Sequence, residues 1–423
     1  MTEEEKAKIK NFWKSRNLFI KRFLAAGGKI DSESRIYNRW RDFYSFEKNI
    51  IMNIGVLGHL NFVQEVAMYK KIKIENFRGI NRLEFKDPKQ FNLIVGKNNS
   101  CKTTLIESIF CLTGPTNPNL ALTINTFRGF NLINDHSWPL IFNKLDTQLP
   151  LKLYGEVIKP RENRYLTIKP LRETAITKPD ENSGHFVSES SHTMPADRVN
   201  GLSFEYSIKK GNSKKPLKFN SDIRWTGKDL QTNLPDDYKN PLKGIFIFAN
   251  FDFGENTKRF NEIQIKKQEA KILKILQKIE PDIRGLSVGS DNILYCDIGF
   301  NKLVPLNIVG EGINRLLSII LAIDYAFNGI VLIDEVENGF HYSALEILWE
   351  AIFESAREFN AQIFATTHSF ENIKAYSSAY DKLQEKKDSM RLYRIEKEGD
   401  KLELVSIDHE MLKTSLENNL EIR

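Results

Sequence analysis

The chain has 423 residues, with 61 Lys and Arg against 55 Asp and Glu for a net charge of +6. That length is enough to bury a large core and to hold two or three structural units, which excludes a peptide-like or minimal scaffold. Only Cys101, Cys111 and Cys296 occur, none in Cys-x-x-Cys spacing, so the pattern carries neither a disulfide framework nor a zinc site.

The N-terminus, Met-Thr-Glu-Glu-Glu-Lys, is acidic where a secretory leader would be basic and then apolar, so a cytoplasmic protein is expected. Residues 1–68 hold 12 basic and 8 acidic side chains, +4 of the total +6, with aromatics among them such as Trp13, Phe19, Trp40 and Tyr44. Basic and aromatic residues so mixed suit nucleic acid. The near-helical spacing of Phe12, Leu18, Phe19 and Phe23 favours instead an amphipathic helical extension whose aromatics form a small core.

From Tyr69 the pattern reads strand, Arg-Gly turn, strand, and then Phe91-Asn-Leu-Ile-Val-Gly-Lys-Asn-Asn-Ser-Cys-Lys-Thr-Thr104. An apolar run breaks into a polar loop, and Lys102 opens an apolar-periodic helix. This is the order of a phosphate-binding P-loop. Backbone N–H groups across Gly96, Asn98, Asn99, Ser100, Cys101 and Thr104, with the positive end of the helix, would cradle the phosphates of ATP. Lys102 would add a charge and Thr103 a hydroxyl ligand for Mg²⁺. Cys101 stands where a second glycine is usual, and its Cβ is tolerated only at negative φ or after a shift of the loop. A thiol at a helix N-terminus is also expected to have a lowered pKa.

Leu149 to Phe248 alternates apolar and polar residues between turn signals, which predicts a mostly antiparallel β region with a disordered loop near Pro179 to Asn200. A single helix is expected from about Arg259 to Ile279, after which Asn292–Asp297 and Val304–Ile308 lead back into the fold begun at Tyr69. Gly310-Glu-Gly312 precedes a helix predicted over Asn314–Phe327, and a glycine turn there would offer free N–H donors to an anion. Leu316 to Val336 is the most apolar stretch, but Asp324, Asn328, Gly329 and Asp334 interrupt it, so helix then buried strand is expected and no membrane span.

Ile330 to Ile333 reads as a strand buried on both faces and ending in Asp334 and Glu335. Acidic residues at that end lie where open α/β sheets bind ligands. Asp334 would join the Mg²⁺ shell, and Glu335 would orient or deprotonate the attacking water. A second apolar strand, Gln362-Ile-Phe-Ala-Thr-Thr-His-Ser369, ends in His368, 33 positions after Glu335, as suits a γ-phosphate sensor. A helix, two short strands and a tail complete the pattern.

Four stretches together resemble the ABC-type ATPases of the SMC-like and overcoming-lysogenization-defect (OLD) class: Lys73-Ile-Glu-Asn-Phe-Arg-Gly-Ile80, the P-loop, Val309-Gly-Glu-Gly-Ile-Asn-Arg-Leu-Leu317, and Asp334-Glu335 with His368. The resemblance implies an α/β, ABC-type P-loop head with a β-rich insertion and a small helical N-terminal extension. The expected segments are the extension at 1–68, the first part of the head at 69–148, the insertion plus a helix at 149–300, and the second part of the head at 301–423. It further implies that Arg78 lies near the nucleotide and that Gly310 and Gly312 form a degenerate signature reaching the γ-phosphate of a second subunit, hence a homodimer or higher homo-oligomer. The family's lid glutamine has no clear counterpart, Trp138-Pro-Leu-Ile-Phe142 occupying that region. The toprim nuclease that OLD-class proteins often carry is not expected in the 55 residues after His368. The resemblance then points to a slow ATPase of anti-phage defence that controls a separately encoded nuclease or toxin. The alternatives are an SMC-like clamp on DNA and a nucleotide-gated scaffold with little hydrolysis.

Overall fold

The computed structural model describes residues 68–422, apart from 131–136, 159–160, 173–177, 180–185, 188–197, 212, 214, 237–241, 249–253 and 384–387. The N-terminal extension, and most of the loop expected to be disordered, lie outside the described residues.

In chain order, β1 (Tyr69–Phe77), β2 (Ile80–Lys86) and β3 (Phe91–Val95) lead into α1 (Lys102–Thr113) and α2 (Asn119–Thr126). Next come β4 (Leu151–Val157), β5 (Glu162–Arg172), the short pair β6 (Lys178–Pro179) and β7 (Phe186–Val187), β8 (Val199–Lys210), β9 (Leu217–Trp225), β10 (Leu230–Asn233) and β11 (Gly244–Ile247). Helices α3 (Gly254–Ile265) and α4 (Glu269–Gln277) precede β12 (Gly285–Val288), β13 (Leu294–Asp297) and β14 (Val304–Pro305). The chain continues through α5 (Leu306–Val309), α6 (Glu311–Tyr325), β15 (Ile330–Ile333), α7 (Leu345–Glu358), β16 (Gln362–Thr366) and α8 (Phe370–Asp381). It closes with β17 (Met390–Glu398), β18 (Lys401–Ile407) and α9 (His409–Glu417).

Two sheets carry the fold. One is mainly parallel, in the order β11-β15-β16-β3-β17-β18, with only β18 antiparallel. The other is antiparallel, β10-β9-β8-β5-β4-β1-β2. The middle strands β3, β15 and β16 are wholly buried, as their unbroken apolar runs require. Alternation then splits each strand between two cores. Phe91, Leu93 and Val95 pack with α6, α7 and α8 on one face, while Ile94 joins α1 and the inner face of the antiparallel sheet on the other. The result is an α/β fold of the ABC-type P-loop kind, as expected.

Four expectations change. The β-rich region at 149–300 is not set apart as an insertion, because β4 pairs with β1 and so continues the sheet that opens the head. Its last strand, β11, belongs to the parallel sheet beside β15. The single helix over Arg259–Ile279 is two helices, broken at Lys267, whose φ is 56°. The helix after the glycine turn starts earlier, at Glu311, so Gly312 lies inside its first turn.

One buried side chain ties the sheets together. Gln362, at the start of β16, donates through Nε2 to the carbonyls of Tyr69 (3.1 Å) and Lys89 (2.9 Å), and its Oε1 accepts from Tyr69 N at 2.9 Å. With Gln362 fully buried, removing it strands polar backbone groups that no water can reach. Gln362→Ala is expected to cost about 3 kcal/mol. The measurement is urea unfolding, where the midpoint falls at an unchanged slope.

Candidate functional site

At the carboxyl ends of β3, β15 and β16 lies a cleft of about 510 Å³, lined among others by Arg78, Asn99, Ser100, Cys101, Lys102, Thr103, Thr104, Arg128 and His368. The P-loop folds back on itself there. Lys102 Nζ donates to the carbonyls of Gly96 (2.7 Å) and Lys97 (3.0 Å), which holds the ammonium inside the loop. Burial lowers its pKa, opposed by the nearby charges of Asp334, Glu335 and Glu337. Gly96 has φ +150°, and a Cβ on it would stand 2.7 Å from Ser100 Oγ and 3.0 Å from the Ile395 carbonyl, so the close fold needs glycine. Asn98 turns to a second concavity on the other side of the loop, shared with Arg394 and Lys397.

Two of the expectations for Cys101 are overturned. Its φ is +70°, in the left-handed region, so the position keeps the conformation a glycine would favour and the cysteine bears the strain. Its thiol pKa is pushed up by burial, which outweighs the opposing charges of Lys397, Arg128 and Lys102, rather than lowered by the helix end as expected. The side chain fits because Gly79 faces it: a Cβ on Gly79 would lie 2.7 Å from Cys101 Sγ.

Across the cleft, Thr103 Oγ1 donates to Asp334, 2.9 and 3.1 Å from its two oxygens, and Thr366 Oγ1 donates to Asp334 Oδ1 at 2.7 Å. A residue of the P-loop helix, one at the end of β15 and one at the end of β16 thus meet on one carboxylate. Thr103 and Asp334 give hard oxygen donors, the chemistry that suits Mg²⁺. Among the described residues no three His, Cys, Asp or Glu gather to enclose a metal. Glu335 sits at φ 47°, with its N–H on Thr366 Oγ1 (2.9 Å) and its carboxylate held by Asn338 Nδ2 (2.8 Å). His368 Nε2 lies 3.7 Å from Glu335 Oε1.

The remaining predicted residues are placed differently. Arg78 lines the cleft but is committed to protein: Nη1 to Glu107 at 3.1 Å, and Nη2 to the Ile124 carbonyl (3.1 Å) and Asn125 Oδ1 (2.7 Å). Gly310 caps α6 with extended backbone, φ 167°, and Gly312 packs so closely on the Gly339 carbonyl that a Cβ would lie 2.6 Å from it. Neither lines the cleft of its own chain. Within residues 138–142, Leu140 and Phe142 form part of the cleft wall.

Sequence reading missed several supports. Thr366 was visible as a polar residue closing an apolar strand. Arg315, a lone arginine on the buried side of α6, donates to the Phe248, Asp334 and Glu335 carbonyls and so fixes the chain at the end of β15. Glu337 accepts from the backbone N–H groups of His368 (2.9 Å) and Ser369 (3.2 Å), fixing the backbone at His368. Arg128 and Glu107 gave no sequence signal, since their pairing is purely tertiary.

Sheet order, P-loop and acidic strand end define a P-loop NTPase head of the ABC type. The family described as "AAA domain, putative AbiEii toxin, Type IV TA system" matches residues 91–373, more than half of the chain, and the chain belongs to that family. It is 21% identical over 330 residues to an "ATP/GTP phosphatase" of Helicobacter pylori, covering 72% of this chain and 86% of that protein. A segment of 65 residues is 42% identical to the "Uncharacterized protein MJECL11" of Methanocaldococcus jannaschii, covering 15% of this chain and 57% of that one. A solved SMC head bound to the C-winged helix domain of ScpA is 12% identical, with a TM-score of 0.44 over 81% of this chain and 98% of that one. No helix of the described residues is long and apolar enough to cross a membrane.

Two outcomes follow from the geometry. Cys101→Gly relieves left-handed strain and is expected to stabilise the protein by about 0.5–1 kcal/mol after the gain in unfolded-chain entropy, read as a rise in Tm. For Asp334, burial comes first and raises its pKa, against the hydrogen bonds from Thr366 and Thr103. The nucleotide-free fold then binds a proton more readily than the unfolded chain, so stability falls as pH rises through the folded pKa. Asp334→Asn should therefore raise the nucleotide-free Tm at pH 7, with the gain fading below the unfolded carboxylate value of about 3.9.

Proposed function

We propose that this protein binds MgATP in the cleft at the P-loop and hydrolyses it slowly, as a dimer that closes around the nucleotide and gates a separate effector. The observation that carries the nucleotide reading is the meeting of Thr103 with Asp334 beside the Lys102-capped loop. Lys102 exchanges its two backbone carbonyls for phosphate oxygens. The first-turn N–H groups of α1 donate to the same phosphates, where the helix end adds positive potential. Thr103 and Asp334 would hold a magnesium ion, which would supply neutralisation of phosphate charge. Glu335, held by Asn338, orients the attacking water and accepts its proton, and His368 stands next to Glu335 to contact the terminal phosphate. The name of the Helicobacter pylori relative supports hydrolysis, and leaves open ATP against GTP as fuel.

Dimerisation is supported by the position of Gly310 and Gly312. Gly310 caps a long helix and Gly312 lies in its first turn, where N–H groups can meet an anion, yet neither lines its own cleft, so a second copy is needed to bring them to a phosphate. Control of an effector is supported by the nucleotide cleft itself, whose turnover must act on something else; the family description, which names a putative toxin of a type IV toxin–antitoxin system, supports a two-component setting. An anti-phage setting is the reading that joins these features, with a nuclease or toxin as the gated partner.

Lys102→Ala should abolish nucleotide binding in calorimetry, whereas Glu335→Gln should retain it and lose at least about 100-fold in turnover. Unchanged affinity in Lys102→Ala would sink the P-loop assignment. Mixing Lys102→Ala with Gly312→Asp chains should restore activity that neither has alone, because one of the two composite sites in a mixed dimer is intact.

A further inference from the structure

The basic wall of the cleft is built from three residues whose charges do not cancel. Glu107 on α1 has a side chain only 1% exposed and is shared by two arginines. Arg128 Nε and Nη2 bind its two oxygens at 2.8 and 3.1 Å, and Arg78 Nη1 shares Oε1 at 3.1 Å. One buried carboxylate between two guanidinium groups leaves a net positive charge beside the P-loop helix.

The two arginines are spent differently. Arg78 is 11% exposed, and its Nη2 is taken up by the end of α2, at the Ile124 carbonyl and Asn125 Oδ1. Arg128 is 38% exposed and lines the cleft. Its Nη2 also reaches Thr104 Oγ1 at 3.3 Å, one residue beyond the threonine that meets Asp334. Its remaining nitrogen, Nη1, has no hydrogen-bond partner among the described residues. A guanidinium has five N–H groups in a rigid fork, so one edge can rest on a carboxylate while the other stays open to an anion. The backbone behind it is anchored, because Phe127 stacks on Phe248 at 4.0 Å and meets Phe246 edge-on at 5.3 Å.

We propose that Arg128 is the guanidinium contact of the nucleotide site: its open edge binds the phosphate chain near Thr104, Glu107 is the positioning residue that aims it, and Arg78 ties α2 to α1. The inference rests on the nucleotide reading of the cleft. It moves to Arg128 the contact that resemblance alone gives to Arg78. Because Thr104 lies past the Thr103–Asp334 pair, the contact falls on phosphates that the di- and triphosphate share.

The first test needs no variant. The full-length protein is treated with phenylglyoxal with and without MgADP, and modified peptides are read by mass spectrometry. Arg128 should be modified in the free protein and protected by MgADP, with Arg78 unreactive in both. Equal labelling of Arg128 in the two states overturns the proposal. Arg128→Gln should raise the Kd of MgADP and of MgATP by about tenfold each, read under conditions where circular dichroism shows the variant folded, since loss of the Glu107 pair also lowers Tm. Arg128→Lys, which keeps charge but not the fork, should fall between. Unchanged affinity in Arg128→Gln, or a loss confined to MgATP, overturns the assignment. Glu107→Gln should weaken binding while making Arg128 more reactive to phenylglyoxal, a change that loss of packing alone would not single out. Unaltered Arg128 reactivity there removes the positioning role. Lys102→Ala serves as the separate control: if it still binds MgADP like the parent, the nucleotide reading itself fails, whatever Arg128 does.

Discussion

The site depends on one register: β15 lies beside β16, and β16 beside β3, all parallel and all buried. Ile333 pairs with Ala365, and Thr366 with Ile94. That alignment ends the three strands at one level, so Asp334, Thr366 and the loop into α1 emerge together. A slip of one residue would turn each side chain to the opposite face and separate Thr103 from Asp334. The hydrogen bonds of Thr103 and Thr366 to Asp334 follow from this register. So does the desolvation that raises the Asp334 pKa.

Strain collects where the chemistry is proposed. Glu335 and Cys101 are both non-glycine residues at positive φ, next to the acid and the lysine that matter most. Each is held by surroundings that over-determine it. Arg315 and Thr366 grip the backbone at Glu335, while Cys101 heads a rigid helix and its thiol fills the space that Gly79 leaves. A buried carboxylate, a buried ammonium and two strained residues together lower stability at the point where an anion and a cation would arrive.

The two layers share their supports. Gln362 at the start of β16 reaches the backbone of β1, so the strand that ends in the Thr-Thr-His segment also clamps the antiparallel sheet. At the other edge of β3, the first half of β17 (Met390 to Arg394) pairs with the whole of β3, and the Ile395 carbonyl borders the space at Gly96. β17 is therefore part of the P-loop's wall.

The local sequence determined the chemistry of the strand ends. Unbroken apolar runs before Gly96, Asp334 and Thr366 state burial on both faces, and the polar residues that stop them state where a ligand meets the sheet. Those signals are short-range, and so they survive in one sequence. Tertiary structure alone decided the rest. Continuity of the β-rich region with β1, insertion of β11 and β17 into the parallel sheet, and the break at Lys267 all depend on partners distant in the chain. The sign of φ at Cys101 was set by the closure of the loop around Lys102, and the direction of its thiol pKa by burial, an effect larger than the opposing charges of Lys397, Arg128 and Lys102. Arg128 and Glu107 show the limit most plainly. Neither stands in a motif, and a shared carboxylate becomes a binding feature only when packing brings α1 and the end of α2 together.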